Sequence, residues 1–203
     1  MPSGAPPSDD EHQARWRRAC FLAVDVETTG LAPQRDRVIE VAWVRFEGGA
    51  VTHQSSSLCR IDTPLPRVIR ALTRITDEEL AGAPSFAEVA PDLLEALAQV
   101  DFAVAYNASF DMGFLRAELA RVGAALPAVQ FLDPLGWSRR LNPGAAGHKL
   151  VDVCRRHGVA LDGAHRALAD ARASGELALR LGAAVKARPP ARRASRARGD
   201  RAP

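Results

Sequence analysis

Cysteine is scarce in this chain: three residues (Cys20, Cys59, Cys154) in 203, an odd number with no CxxC pair. That excludes a disulfide framework and a cysteine zinc site as the organising feature. Lysine is scarcer still, with two residues (Lys149, Lys186) among 27 basic ones. Such an arginine bias follows GC-rich coding, so the basic count is discounted as a sign of nucleic-acid binding. No apolar run approaches the roughly 18–20 residues that a membrane-spanning helix requires. The first twenty residues carry prolines and acids where a secretory signal would have an apolar core. The expectation is a soluble protein of a reducing compartment, the cytoplasm, with no membrane partner.

What is present balances like a folded domain, at 47% hydrophobic and 25% charged residues. The net charge of +3 divides unevenly. Residues 186–203 hold seven basic residues against Asp200 alone, a net of +6, and the other 20 basic and 23 acidic residues leave the body at −3. Residues 183–203 lack apolar periodicity and read as a basic, disordered tail. Residues 1–19, rich in Pro, Ser and charge, read as a flexible arm. Residues 20–182 remain as one domain, long enough for one sizeable core.

Within that domain FLAVDV (21–26) is a short apolar run typical of a strand buried on both faces. RVIEVAWVRFEGG (37–49) is a second strand, closed by a Gly-Gly turn into AVTHQSSSLCR (50–60). A helix follows near 85–98, where Ser85 and Glu88 form a capping-box pattern and Pro91 marks either a kink or the true start. FAVAY (102–106) is a third buried strand leading into a helix with apolar Phe110, Phe114, Leu115 and Leu119. A short strand at 129–133 and helices near 134–141, 150–157 and 166–181 complete the pattern. Meander strands followed by alternating β and α units predict an α/β fold, a mixed sheet with helices packed on it.

Three constellations carry chemistry. Asp25 and Glu27 end the first strand, and because side chains alternate along a strand both point to one face. Two carboxylates roughly 7 Å apart on one face repel unless something positive lies between them, and a hard divalent cation meets that need. Read alone, the pair also fits an acidic strand end before the Thr28-Thr29-Gly30 turn. Asp111 lies near the start of a helix leaving a buried strand, where the helix dipole favours an acid and where open α/β sheets form ligand crevices. His165 and Asp170 would lie roughly 140° apart if both were helical, and can face one cleft if His165 belongs to the preceding loop. Four carboxylates without a thiol partner suit hard ions, and a histidine beside them can deprotonate water near neutral pH. The residue-level reading is two-metal phosphodiester hydrolysis.

FLAVDVETTGL (21–31), AYNASFDMGFL (105–115) and HRALAD (165–170) resemble, in order, the three motifs of the DEDDh 3′→5′ exonucleases. The likeness is greatest to the proofreading epsilon subunits of bacterial DNA polymerase III, spans about 150 residues and takes in ALTRITDEELAGAPSF (71–86). It implies a ribonuclease H-like, mixed five-stranded sheet with helices on both faces. It also implies two divalent ions, Mg²⁺ or Mn²⁺. Asp25 would bridge them, Glu27 and Asp170 would complete the site of the nucleophile-bearing ion, Asp111 would hold the other, and His165 would be the general base. Thr28, Thr29 and Leu31 would lie under the terminal nucleotide, with Tyr106, Asn107 and Phe110 as further substrate contacts. Tyr106 stands where the family usually has His, and Asp133-Pro134 where it usually has Asp-Thr. The tail has neither Gln nor Phe, so it shows no clamp-binding peptide of the usual type.

The leading expectation is a metal-dependent 3′→5′ exonuclease acting on single-stranded DNA or DNA 3′ ends, releasing nucleoside 5′-monophosphates and serving as a DNA polymerase subunit. One alternative is an RNA 3′→5′ exonuclease like ribonuclease T or oligoribonuclease. Another, of a different class, is a non-catalytic nucleic-acid-binding module, against which stand five filled catalytic positions.

Overall fold

The computed structural model describes residues 9–185. Five strands form one mixed sheet: β1 (Cys20–Thr28), β2 (Val38–Glu47), β3 (Ala50–Leu58), β4 (Phe102–Val104) and β5 (Phe131–Leu132), in spatial order β3-β2-β1-β4-β5. β1, β2 and β3 are antiparallel neighbours, whereas β4 and β5 join in parallel, as each is reached by a helical crossover. The helices are α1 (Asp9–Arg18), α2 (Arg67–Thr73), α3 (Asp77–Ala81), α4 (Phe86–Ala98), α5 (Ala108–Arg121), α6 (Pro134–Leu141), α7 (Leu150–His157) and α8 (Ala167–Ala184).

β1 is central, and its alternation divides the core between two faces. Leu22, Val24 and Val26 join Val41 and Trp43 beneath Phe86, Val89, Leu93 and Leu97 of α4 and Phe114, Leu115 and Leu119 of α5. Phe21 and Ala23 face the other way, with Val44 and Phe46, toward Ala171 and Ala178 of α8. Phe21 stacks between Phe46 and Phe102, with ring centroids 4.9 and 5.2 Å away. α8 lies close to the sheet because Gly175 faces the Phe46 ring, where a Cβ would collide with it. This face matters for function: Asp25 and Glu27 share the parity of Phe21 and Ala23 and so look toward α8.

Several expectations change. The flexible arm expected over 1–19 does not run to Cys20: α1 occupies Asp9–Arg18, and Trp16 is buried, edge-on to Phe21, Phe102 and Trp137. One large aromatic side chain anchors a segment whose composition is otherwise polar. At the other end α8 reaches Ala184, beyond the 181 expected, and most of the basic tail, residues 186–203, lies outside the described residues, as does the arm before Asp9. α2 and α3, absent from the sequence reading, fill the connection after β3. α3 is set by a capping box between Thr76 and Glu79. α4 begins at Phe86 and runs through Pro91, with the Glu88 carboxylate accepting from the Ser85 N–H and hydroxyl at 2.7 Å each.

Candidate active site

The carboxyl end of β1 gathers acids from three elements. Asp25 and Glu27 come from β1 itself. Asp111 stands in the first turn of α5, which starts directly after β4, and its buried Oδ1 accepts the Val26 N–H at 3.2 Å. That bond ties the helix to the strand between the two β1 acids. Asp170 lies in the first turn of α8, and its Oδ2 accepts the His165 N–H at 3.2 Å.

His165 precedes α8 in a left-handed backbone conformation (φ 66°), outside the helix. Of the two geometries open to the His-x4-Asp spacing, this is the one that turns both residues toward one cleft. Glu27, His165 and Asp170 each offer a ligand atom, all within 4.8 Å of one another. His165 is exposed and the two acids are half-buried.

Electrostatics make this arrangement costly without a cation. Burial, and then the charges of Asp111, Asp170, Glu27 and Glu40, push Asp25 well above the usual carboxylate range. Burial, Asp170 and Glu40 lift Glu27 from 4.5 to about 8, with Arg166 opposing. Burial lifts Asp170 from 3.8 to about 6 against its hydrogen bond from His165, and burial is also the first cause of the rise at Asp111. Asp170 Oδ1 is buried without a hydrogen-bond partner among the described residues. An orphaned carboxylate oxygen among like charges is what a bound divalent cation would satisfy, and the carboxylate oxygens gathered here fit Mg²⁺ or Mn²⁺.

These shifts predict a stability change. A carboxyl whose folded-state pKa is raised stabilises the fold below its unfolded value and loses that contribution as pH rises through the folded value. For Glu27 the window runs from 4.5 to about 8, and for Asp170 from 3.8 to about 6. In EDTA, Tm is expected to fall by at least about 5 °C between about pH 5 and about pH 8, and Mg²⁺ is expected to restore more of it at the higher pH. A Tm in EDTA that is flat across this range contradicts the electrostatic picture.

The residues expected as further contacts differ in exposure and in what their side chains hold. Thr28 is buried and its hydroxyl donates to the Gly30 carbonyl at 2.7 Å. The Thr29 hydroxyl accepts the Arg37 N–H at 2.9 Å. Both hydroxyls thus brace the turn that presents Leu31, which is 84% exposed. Asn107 is exposed at a left-handed N-cap (φ 67°), and Phe110 is half-buried, packed at 4.9 Å on Phe114. Tyr106 is half-buried, and its hydroxyl donates to the His148 carbonyl at 2.7 Å, which braces the loop before α7.

Two ion pairs that sequence reading missed anchor the acid-bearing helices to β2. The Glu118 carboxylate, fully buried in α5, accepts from Arg37 Nε at 2.8 Å and from the Val38 N–H at 3.0 Å. The Glu40 carboxylate, buried in β2 opposite Glu27, takes both arms of the Arg166 fork at 3.0 Å each. The signal available in the sequence was an acid inside each of two apolar stripes.

Among the described residues, no helix is long and apolar enough to cross a membrane. Residues 22–178 match the RNase_T family, described as exonuclease. The chain is 34% identical over 162 residues to the 3′-5′ exonuclease DinG of Bacillus subtilis, and 37% identical over 164 residues to the PolC-type DNA polymerase III of the same organism. Each match covers 79% of this chain but only 17% and 11% of those proteins. Among solved structures, the zinc-bound form of the Escherichia coli exonuclease I–single-stranded DNA complex superposes with a TM-score of 0.70 at 21% identity. That alignment covers 81% of this chain and 41% of that one, and shows a shared fold. The ribonuclease H-like mixed sheet, the acids at the end of β1 and the match across 22–178 lead to one conclusion: the chain belongs to the RNase_T exonuclease family.

Proposed function

We propose that the chain is a metal-dependent 3′→5′ exonuclease that hydrolyses the terminal phosphodiester of single-stranded DNA or a DNA 3′ end and releases nucleoside 5′-monophosphates. The observation that carries this reading is the convergence of acids from β1, α5 and α8 with His165, three of whose ligand atoms lie within 4.8 Å of one another. When bound, two divalent cations, Mg²⁺ or Mn²⁺, would supply Lewis-acid stabilisation of the entering and leaving oxygens. Glu27 and Asp170 would hold one ion, Asp111 would hold the other, and Asp25 would serve both.

His165 accepts a proton from the attacking water as the new P–O bond forms and the bond to the 3′ oxygen breaks. The leaving 3′ oxygen takes its proton from solvent. Leu31 offers an exposed apolar surface to the terminal base, Thr28 and Thr29 hold that turn in shape, and Asn107 and Phe110 are further substrate contacts. Similarity to a stretch of a PolC-type polymerase and to an exonuclease supports DNA as substrate and work beside a polymerase.

Matched 5′-labelled single-stranded DNA and RNA of one sequence test the substrate. DNA is expected to shorten faster in Mg²⁺ or Mn²⁺. RNA shortened at the same rate or faster overturns the DNA assignment and leaves the chemistry standing, because a preference for a 2′-OH needs its own contacts.

A further inference from the structure

The His165 backbone is held in a conformation that a side-chain-bearing residue seldom adopts (φ 66°). Such a conformation persists only where neighbouring contacts over-determine it. On its C-terminal side those contacts converge on one carboxylate. Glu40 Oε2 accepts from Arg166 Nε at 3.0 Å and from the Ala167 N–H at 3.1 Å, while Oε1 accepts from Arg166 Nη2 and the Ser56 hydroxyl, each at 3.0 Å. Glu40 is 2% exposed, and the Arg166 side chain is 48% exposed. Ala167 is the first residue of α8, so the same carboxylate also caps the helix that carries Asp170. Glu40 pairs across the sheet with Glu27, which makes this one contact the link between the His165 turn, the start of α8 and the β1 acids.

We propose that Glu40 and Arg166 are a positioning pair that holds His165 and Asp170 in register with Glu27, and so sets how tightly the site takes a divalent cation. This rests on the metal-site reading above. As a positioning pair they act through His165 and Asp170. A bidentate fork fixes both the position and the plane of the guanidinium, which a point charge does not.

The test uses the full chain carrying Arg166→Ala and Arg166→Lys, with Leu181→Ala as a core variant at the far end of α8. Calorimetric titration with Mn²⁺ is expected to give roughly tenfold weaker affinity for Arg166→Ala and a smaller loss for Arg166→Lys, the scale of outer-shell effects on a metal site. Leu181→Ala is expected to lower Tm and leave Mn²⁺ affinity at the parent value. In the metal-free proteins, the His165 imidazole is expected to show a displaced or broadened NMR signal in Arg166→Ala, a smaller change in Arg166→Lys and none in Leu181→Ala. Arg166→Lys keeps a cation opposite buried Glu40, which preserves folding if Arg166→Ala does not fold.

Unchanged Mn²⁺ affinity and an unchanged His165 signal in the folded Arg166 variants overturn the proposal. Failure of the parent chain to bind Mn²⁺ overturns the metal-site reading instead. The imidazole signal, read without metal, distinguishes the two.

Discussion

Replacing Asp25 with Asn is expected to lower exonuclease turnover by roughly a thousandfold or more, the scale on which a central member of an electrostatic catalytic unit acts. Asp25 is the acid most surrounded by others: Asp111, Asp170, Glu27 and Glu40 all raise its pKa, after burial itself. Its negative charge is therefore costly in the metal-free protein and is compensated only when cations are bound. Asn keeps the shape and removes the charge. The same substitution should raise Tm in EDTA near pH 8, because one of the mutually repelling groups is gone. Turnover and metal-free stability should thus move in opposite directions. If Asn at position 25 reduced activity only in proportion to a loss of folded protein, Asp25 would be a structural residue and the site assignment would fail.

Replacing His165 with Asn is expected to cost about 10² to 10⁴ in turnover near neutral pH, the range for a general base. Asn is the informative choice because, unlike Ala, it enters the left-handed conformation of this position at little cost. The His165 N–H that donates to Asp170 at 3.2 Å remains, so the turn and the Asp170 carboxylate stay in place. Mn²⁺ affinity should change less than turnover. A loss of only a few-fold removes His165 as the base. A loss of Mn²⁺ affinity as large as the loss of rate would make it a ligand.

The contrast between what the sequence discloses and what it hides follows from the range of the interactions. β1 and β4 are legible because strands buried on both faces must be continuous apolar runs, as FLAV and FAVA are. Asp25 and Glu27 are legible because parity along a strand is a local property. The His165 turn is half legible: the spacing excludes one geometry and leaves another, and the left-handed backbone decides between them. Trp16 is not legible, since nothing around it shows that the sheet offers an aromatic pocket beside Phe21 and Phe102. α2 and α3 are short, and Leu80 of α3 and Ile75, which lies between the two helices, are organised by Ile39 of β2.

Glu40 and Arg166 are the instructive omission. They lie 126 positions apart, and the acid in RVIEVAWV looks like a solvent-facing interruption until the antiparallel register sets it opposite Glu27. Glu118 is hidden in the same way inside the apolar stripe of α5, where Arg37 and the start of β2 reach it. Both pairs depend on sheet register, which no local pattern encodes. They also explain why the acids converge: α5 and α8 are each tied by a buried carboxylate to residues 37–40, next to the strand that bears Asp25 and Glu27.

The most direct measurement follows 5′-labelled single-stranded DNA with the parent chain and Asp25→Asn, in Mg²⁺ and in EDTA, and identifies the released nucleotides by chromatography. The account predicts a ladder that shortens one nucleotide at a time from the 3′ end, nucleoside 5′-monophosphates as the product, and no shortening in EDTA or with Asp25→Asn. Release of the label from the 5′ end, nucleoside 3′-monophosphates as product, or a parent-like ladder from Asp25→Asn would contradict it.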